Sequence, residues 1–337
     1  MSLTKASSRR TGTLRALTFL TTLTSCTLAL IGAHADDSSW KAAFSPLPES
    51  AATAEQPTPS ERVALGKSLY FDTRLSKNNK MSCNSCHNLS TFGVDNEPTS
   101  PGHEGKRGGR NSPTVFNAAL HVAQFWDGRA KDVEAQALGP ILNPIEMGMD
   151  SEAAVVARLK ADPATVEAFK KAFPGETDSV TYANIGKAIG SFERTLITPS
   201  RFDTYLKGDE KALSEAEVAG AKLFVQTGCT ACHMGATLGG QMYQKLGLVK
   251  EYDTKDLGRF EVTKNEADRK FFKVPSLRNV AKTGPYFHDG SVETLDKAVS
   301  LMAEYQLGKQ LSQEQVASIV TFLGSLTGAP PVTSNQK

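Results

Sequence analysis

Cysteine is scarce in this chain, with five among 337 residues, and so few exclude a disulfide-stapled scaffold. Neither sign of charge dominates, Lys and Arg numbering 38 against 36 Asp and Glu for a net +2. Four of the basic residues (Lys5, Arg9, Arg10, Arg15) lie in the first 35 positions, which hold no acid, so the remainder carries a net −2. That balance argues against a nucleic-acid partner and for a basic or dipolar protein partner steered in by charge. Long apolar runs are also missing beyond the N-terminus, which excludes a bundle of membrane spans. The one such run, Ala16 to Ile31, follows the basic stretch and ends at Ala33-His34-Ala35. It reads as a cleaved export signal over residues 1–35, placing the mature chain in the periplasm. Leu23-Thr24-Ser25-Cys26 resembles a lipoprotein box, ranked second because the apolar run continues past it.

What remains is long enough for two domains. Residues 36–58 are rich in Ala, Ser and Pro and read as a flexible lead-in. Helical patterns follow over 60–71, 151–172, 182–196, 214–227, 292–301 and 312–326, several opened by a Ser followed by an acid, as in Ser60-Glu61 and Ser214-Glu215. Few stretches alternate as strands do. The expected class is mainly α with long irregular loops, in two domains over 59–205 and 206–328 and a tail over 329–337.

An internal duplication is more informative. Pro113, Asn117, Ala119, Phe125, Asp127 and Gly128 recur as Pro275, Asn279, Ala281, Phe287, Asp289 and Gly290, always 162 positions later. Upstream, Cys83-Asn-Ser-Cys86-His87 recurs as Cys229-Thr-Ala-Cys232-His233. Two copies of one unit fill most of the chain, a pair of related domains and not a solenoid.

With Cys26 assigned to the signal, every remaining cysteine lies in a C-x-x-C-H motif. Residues three apart on a helical turn share a face, so both thiols reach the vinyl groups of one haem while the adjoining histidine ligates its iron. Zinc would want its ligands converging on one tetrahedral site, and a dithiol oxidoreductase has no need of the histidine twice. The fold expected is therefore two cytochrome c-like haem domains. A second axial ligand must be Met, His or a vacancy where substrate reacts. Met302 lies on the helix beyond Phe287-His288-Asp289-Gly290, and a thioether there would raise the reduction potential. A lone Met on a helix is otherwise core filler. Its repeat mate in the first half is Pro140, which cannot ligate. The first half offers His103, in a Gly- and Pro-rich loop over 98–109 without a fixed shape of its own, and Glu146 in the Asn143-Pro144-Ile145-Glu146-Met147 turn. A carboxylate beside an open iron would move a proton between the two oxygens of a peroxide; taken singly, each of these residues has a bland reading as a solvated loop side chain.

These segments together resemble the bacterial dihaem cytochrome c peroxidases. The resemblance runs from about Pro59 to about Gly328 and includes Arg110-Asn-Ser-Pro-Thr114, Gln124-Phe-Trp-Asp-Gly-Arg129, Leu142-Asn-Pro-Ile-Glu-Met147, Pro285-Tyr-Phe-His-Asp-Gly290 and Leu307-Gly-Lys-Gln-Leu311. It implies a low-potential peroxidatic haem on Cys83, Cys86 and His87, its iron blocked at rest by His103. It implies a high-potential electron-accepting haem on Cys229, Cys232 and His233 with Met302 as sixth ligand, and Trp126 between the two. Glu146 is similar to the acid–base residue and Gln136 to its distal-pocket partner. Asn111, with the carbonyls of Thr283 and Pro285, resembles a calcium site, for which oxygen donors suit. The role of His288 is left open. Hydrogen peroxide as substrate, a small cytochrome c or cupredoxin as donor, and a homodimer are implied likewise. Relatives of the methylamine-maturing type carry Tyr where this chain keeps Met302. The rival readings are a plain electron carrier with two permanently six-coordinate haems, and an oxidase of a protein or organic substrate.

Overall fold

The computed structural model describes residues 39–331; the segment expected to be an export signal, Cys26 and most of the tail lie outside them. Eleven α-helices carry most of the regular structure among these residues. They are α1 (Ser60–Tyr70), α2 (Cys83–Cys86), α3 (Val133–Leu142), α4 (Glu152–Lys160), α5 (Pro163–Ala172), α6 (Tyr182–Glu193), α7 (Arg201–Leu206), α8 (Glu215–Thr227), α9 (Phe260–Thr263), α10 (Leu295–Leu307) and α11 (Gln313–Ser325). One antiparallel pair, β1 (Tyr243–Lys245) and β2 (Phe271–Lys273), sets Tyr243 opposite Lys273. No described helix is long and apolar enough to cross a membrane.

The caps explain most boundaries. Side chains of Ser151, Thr181, Ser214, Thr294 and Ser312 each accept from a backbone N–H in the first turn of the helix they open, satisfying donors that have no intrahelical partner. The single helix expected over 151–172 is two. Pro163 lacks the N–H needed to continue α4 and instead starts α5, with Asp162 as cap. The sequence reading missed α3, because Gly139 and Pro140 look like breakers; they fall in its last turn.

Two cores form. The first is drawn from 65–196 and includes Leu69, Phe116, Ile141, Phe169, Ile189 and Phe192. The second gathers Phe202, Phe224, Leu238, Val280, Ile319 and Phe322. Phe202 and Tyr205 thus pack with the second half, although a division at 205 would leave them in the first. Trp40 and Phe44 join the same core, edge to face and stacked against Tyr205, Phe202 and Phe322. The lead-in expected to be flexible is therefore packed down, since two large aromatic side chains outweigh the cost of ordering the small residues around them.

The duplication extends into the packing. In the first half α1 crosses α6 so closely that a Cβ on Gly66 would collide with the Ala188 carbonyl; in the second, Gly220 of α8 meets the Ser318 carbonyl of α11 in the same way. The left-handed backbone of Asn117, Phe125 and Gly128 recurs at Asn279, Phe287 and Gly290. Asn117 and Asn279 both donate through their side-chain amides to one hydroxyl, that of Thr198, at 2.8 and 2.9 Å. These paired contacts set the two halves about a local pseudo-twofold.

Candidate functional site

Each C-x-x-C-H motif occupies one tight turn. Cys83–Cys86 is α2, closed by a Ser82–Ser85 capping box, and Cys229–Ala231 is a 3₁₀ turn after Gly228. His87 Nδ1 donates to the Pro113 carbonyl at 3.0 Å, and His233 Nδ1 to the Leu238 carbonyl at 3.0 Å. A proton held at Nδ1 leaves the lone pair on Nε2, the state a metal-ligating imidazole needs. Burial lowers the affinity of both rings for a second proton. Burial also pushes the Cys86 and Cys229 thiols up to about 11, so neither motif offers the low-pKa thiolate of a dithiol oxidoreductase.

Beside the second motif lies a large, mostly apolar cavity. Its wall includes Cys229, Cys232, His233, Met302 and Trp126. Met302 sits within α10, and the thioether and the His233 imidazole line the same space. Two thiols, a neutral imidazole and a thioether around an apolar cavity are the donor set of a c-type haem with His and Met axial ligands. The residues present fit the group.

In the first half the chain brings Glu146, His103 and the Cys86 turn into one neighbourhood. Glu146 is half-buried in the turn after α3, and burial raises its carboxyl against the opposing pull of Arg129 and Asn143. The charge of Glu146 in turn raises the Cys86 thiol. The loop around His103, expected to lack a shape of its own, is held. The His103 backbone N–H donates to the Glu146 carbonyl at 2.8 Å, its carbonyl accepts from Asn78 at 2.7 Å, and its ring Nε2 donates to the Pro144 carbonyl at 3.1 Å. Gly148 makes room for that ring, since a Cβ there would collide with it. Gln136 lies half-buried on α3.

Trp126 donates through its indole N–H to the Asn111 carbonyl at 2.9 Å. Asn111 is buried and spends its side-chain N–H groups on the Glu97 and Pro98 carbonyls at 3.0 and 3.3 Å, which leaves its amide oxygen for another partner. Thr283 and Pro285 line the same cavity as Asn111. His288 is buried, with Nε2 against the Thr254 hydroxyl at 3.1 Å and Nδ1 unpartnered. The sequence reading overlooked a further polar pair, buried Lys273 and half-buried His121, with Nζ and Nδ1 3.2 Å apart. Carrying the 162-residue repeat beyond the matching letters would have found it.

Two cytochrome c-like halves, each with a thiol pair and a lone-pair imidazole, the second facing an apolar cavity, define a two-haem c-type cytochrome. Residues 60–211 match the family described as di-haem cytochrome c peroxidase, and residues 217–327 match cytochrome c. The chain is 50% identical over 297 residues to the cytochrome c551 peroxidase of Pseudomonas aeruginosa, covering 86% of each. It is also 50% identical over 283 residues to that of Nitrosomonas europaea, covering 82% of this chain and 83% of the other. A crystal structure of a MauG-like protein associated with microbial copper homeostasis matches with a TM-score of 0.74 at 30% identity, over 84% of this chain and 93% of that one. The chain belongs to the di-haem cytochrome c peroxidases and carries two c-type haems, on Cys83/Cys86 and Cys229/Cys232.

Proposed function

We propose that this enzyme reduces hydrogen peroxide to water in the periplasm, drawing electrons from a small cytochrome c or cupredoxin. The haems supply the redox equivalents and the iron at which the O–O bond breaks. His233 and Met302 hold the electron-accepting centre, where the thioether sets a high potential. His87 would hold the peroxidatic haem, and His103, whose ring here donates to the Pro144 carbonyl, would be the loop group that blocks the iron at rest and is withdrawn when the enzyme is primed, a loop switch of a common kind. Glu146 takes the proton from the near peroxide oxygen and returns it to the departing one, with Gln136 orienting the peroxide. Trp126 carries the path between the halves. Asn111, with the carbonyls of Thr283 and Pro285, holds a calcium ion beside it.

One observation carries this reading: burial raises the carboxyl of Glu146 beside the Cys86 turn, in the half where Pro140 stands in place of Met302. An acid whose affinity for a proton is raised toward neutrality suits a shuttle. The test is peroxide-dependent oxidation of a reduced small cytochrome, with calcium present, before and after one-electron reduction of the enzyme. Turnover only after reduction supports the gated reading. Turnover in both states discards the gate and keeps the peroxidase. No turnover in either state leaves an electron carrier, and the reading fails.

A further inference from the structure

The pseudo-twofold makes one pair of backbone bonds equivalent. Asn111 donates to the His288 carbonyl at 2.7 Å, and Lys273 donates to the Trp126 carbonyl at 2.7 Å. The 162-residue repeat converts Asn111 into Lys273 and Trp126 into His288. The same step backwards converts Thr283 into His121. Lys273 and His121 therefore stand, about the pseudo-axis, where Asn111 and Thr283 stand in the other copy. One copy presents oxygen atoms; the other has a cation built into the chain.

That cation lacks a counter-charge. Lys273 is 6% exposed, and its Nζ lies 3.2 Å from Nδ1 of the His121 ring. An ammonium can only donate, so His121 Nδ1 accepts and the ring proton sits on Nε2. That Nε2–H is buried with no acceptor. Burial alone, with no neighbouring carboxylate to offset it, holds the amine at about 8. Among the described residues the buried ammonium thus has a neutral ring nitrogen and no carboxylate for a partner, and the ring's own Nε2–H has none, an arrangement that is costly unless an anion answers the charge. The seat is specific. His121 packs on Gly240, where a Cβ would collide with the imidazole, and Val122 N–H bonds the Gly240 carbonyl at 2.8 Å. Gln241 reaches back to the Leu120 carbonyl at 2.7 Å. Residues 120–122 of the first copy are thereby pinned to 240–241 of the second. Both Lys273 and His121 line the cavity that also holds Cys229, Cys232, His233 and Met302.

A c-type haem brings two carboxylates into such a cavity, on the propionate arms remote from the thioether bonds. We propose that Lys273, held on the His121 ring, forms a carboxylate cradle that grips a propionate of the C-terminal haem and sets that haem's potential by its charge. The proposal rests on the two-haem assignment. The ammonium destabilises the ferric form of a haem it faces, so its removal lowers the potential.

The experiment uses the mature holoprotein, its mass first establishing that both haems are attached. Lys273→Met should shift the propionate-bending band of the C-terminal haem in the resonance Raman spectrum and lower the potential of that haem, leaving the N-terminal potential in place. Lys273→Arg should restore most of both readouts. His121→Leu keeps the ammonium and should shift the band with a smaller fall in potential; it carries the test alone if Lys273→Met fails to mature. An unmoved band and potential in a variant bearing both haems would overturn the cradle. If replacing chloride by sulfate shifts the wild-type potential of this haem, an inorganic anion fills the site and the propionate assignment falls. A holoprotein mass showing one haem would instead overturn the two-haem assignment beneath it.

Discussion

Helices α3 and α10 begin at equivalent positions of the repeat and end at different ones. Val133 and Leu295 open them at the common 162-residue spacing, behind the mated caps Asp132 and Thr294. The same turn then carries Pro140 in one and Met302 in the other. In α10 the helix runs on to Leu307 and ends at the left-handed Gly308. In α3 it stops at Leu142, and the Pro140 carbonyl accepts from Asn143 at 3.3 Å and Met147 at 3.1 Å, folding the chain into the turn that presents Glu146. The repeat mate of Glu146 is Gly308. One local change of helix length thus removes a ligand position from one half and gives that half an acid. The comparison teaches that the functional difference between the halves is a difference in where a helix ends, set on a scaffold that otherwise repeats.

Removing the acid breaks the comparison most severely. Glu146→Gln is expected to lower kcat for peroxide by about 100- to 10,000-fold, the usual contribution of a positioned proton shuttle. The C-terminal haem should still accept an electron from the donor. Steady-state turnover beside reductive titration separates the two, and turnover close to wild type would remove Glu146 from the chemistry.

Next in size is a contrast of buried ion pairs. Arg278 and Asp203 in the second half are 1% and 2% exposed, with Nη1–Oδ2 at 2.6 Å. Asp203→Ala removes the carboxylate from Arg278 and leaves it the Ala236 carbonyl at 2.7 Å and the Ser200 hydroxyl at 3.3 Å, which should cost about 3–5 kcal/mol in urea unfolding. In the first half Arg194 pairs with Glu134 at 2.7 Å but also donates to the Ala51 carbonyl at 2.9 Å and to Gln56. Glu134 is the more exposed carboxylate, at 15% against 2% for Asp203, so Glu134→Ala should cost less. Equal losses would show that this difference in burial contributes nothing.

The halves should also answer pH with opposite signs. In the first half, burial and the neighbouring Glu134 raise the Glu193 carboxyl to about 8. The folded state then holds a proton that the unfolded chain releases, so stability falls as pH rises from about 4.5 toward 8. In the second half, Arg201 and the Ser214 cap lower Glu217 to about 2, and stability falls as pH drops through that range. Urea midpoints of both Gln variants should meet wild type at low pH, where both glutamates are protonated; as pH rises, Glu193→Gln should become more stable than wild type and Glu217→Gln less stable. The same slope for both variants would refute the contrast.

How much of this was legible follows from the physics of each residue. The haem motifs and the duplication were plain, because covalent attachment fixes residue types at fixed spacing. The α-helices with polar caps were plain for the same local reason. Helix α3 was hidden by Pro140, since only tertiary packing of Val133, Ala137 and Ile141 keeps the chain helical through it. The packed lead-in was hidden because Trp40 and Phe44 act through Tyr205, Phe202 and Phe322, far along the chain. Lys273 and His121 had no signal as separate letters; each acquires meaning when the repeat is carried through positions where the letters differ.

The smallest effect sharpens the comparison most, because it perturbs mated positions equally. Asp132 accepts from the Ala135 N–H at 2.8 Å, and Thr294 from the Lys297 N–H at 3.3 Å. Losing either cap by substitution to Ala should cost about 1 kcal/mol, since each satisfies one orphaned donor of a helix start. The structural losses are thus alike, and the consequences for the iron are not. Fraying α10 loosens the helix that carries Met302, so Thr294→Ala should weaken the methionine–iron charge-transfer band. Fraying α3 moves no axial ligand, so Asp132→Ala should leave that band intact. Measured side by side, equal unfolding losses with a spectral change confined to Thr294→Ala would establish that the mated helices share an architecture and divide the chemistry. A band altered equally by both would mean that α3 supports the second haem as well, and the division of labour between the two helices would have to be redrawn.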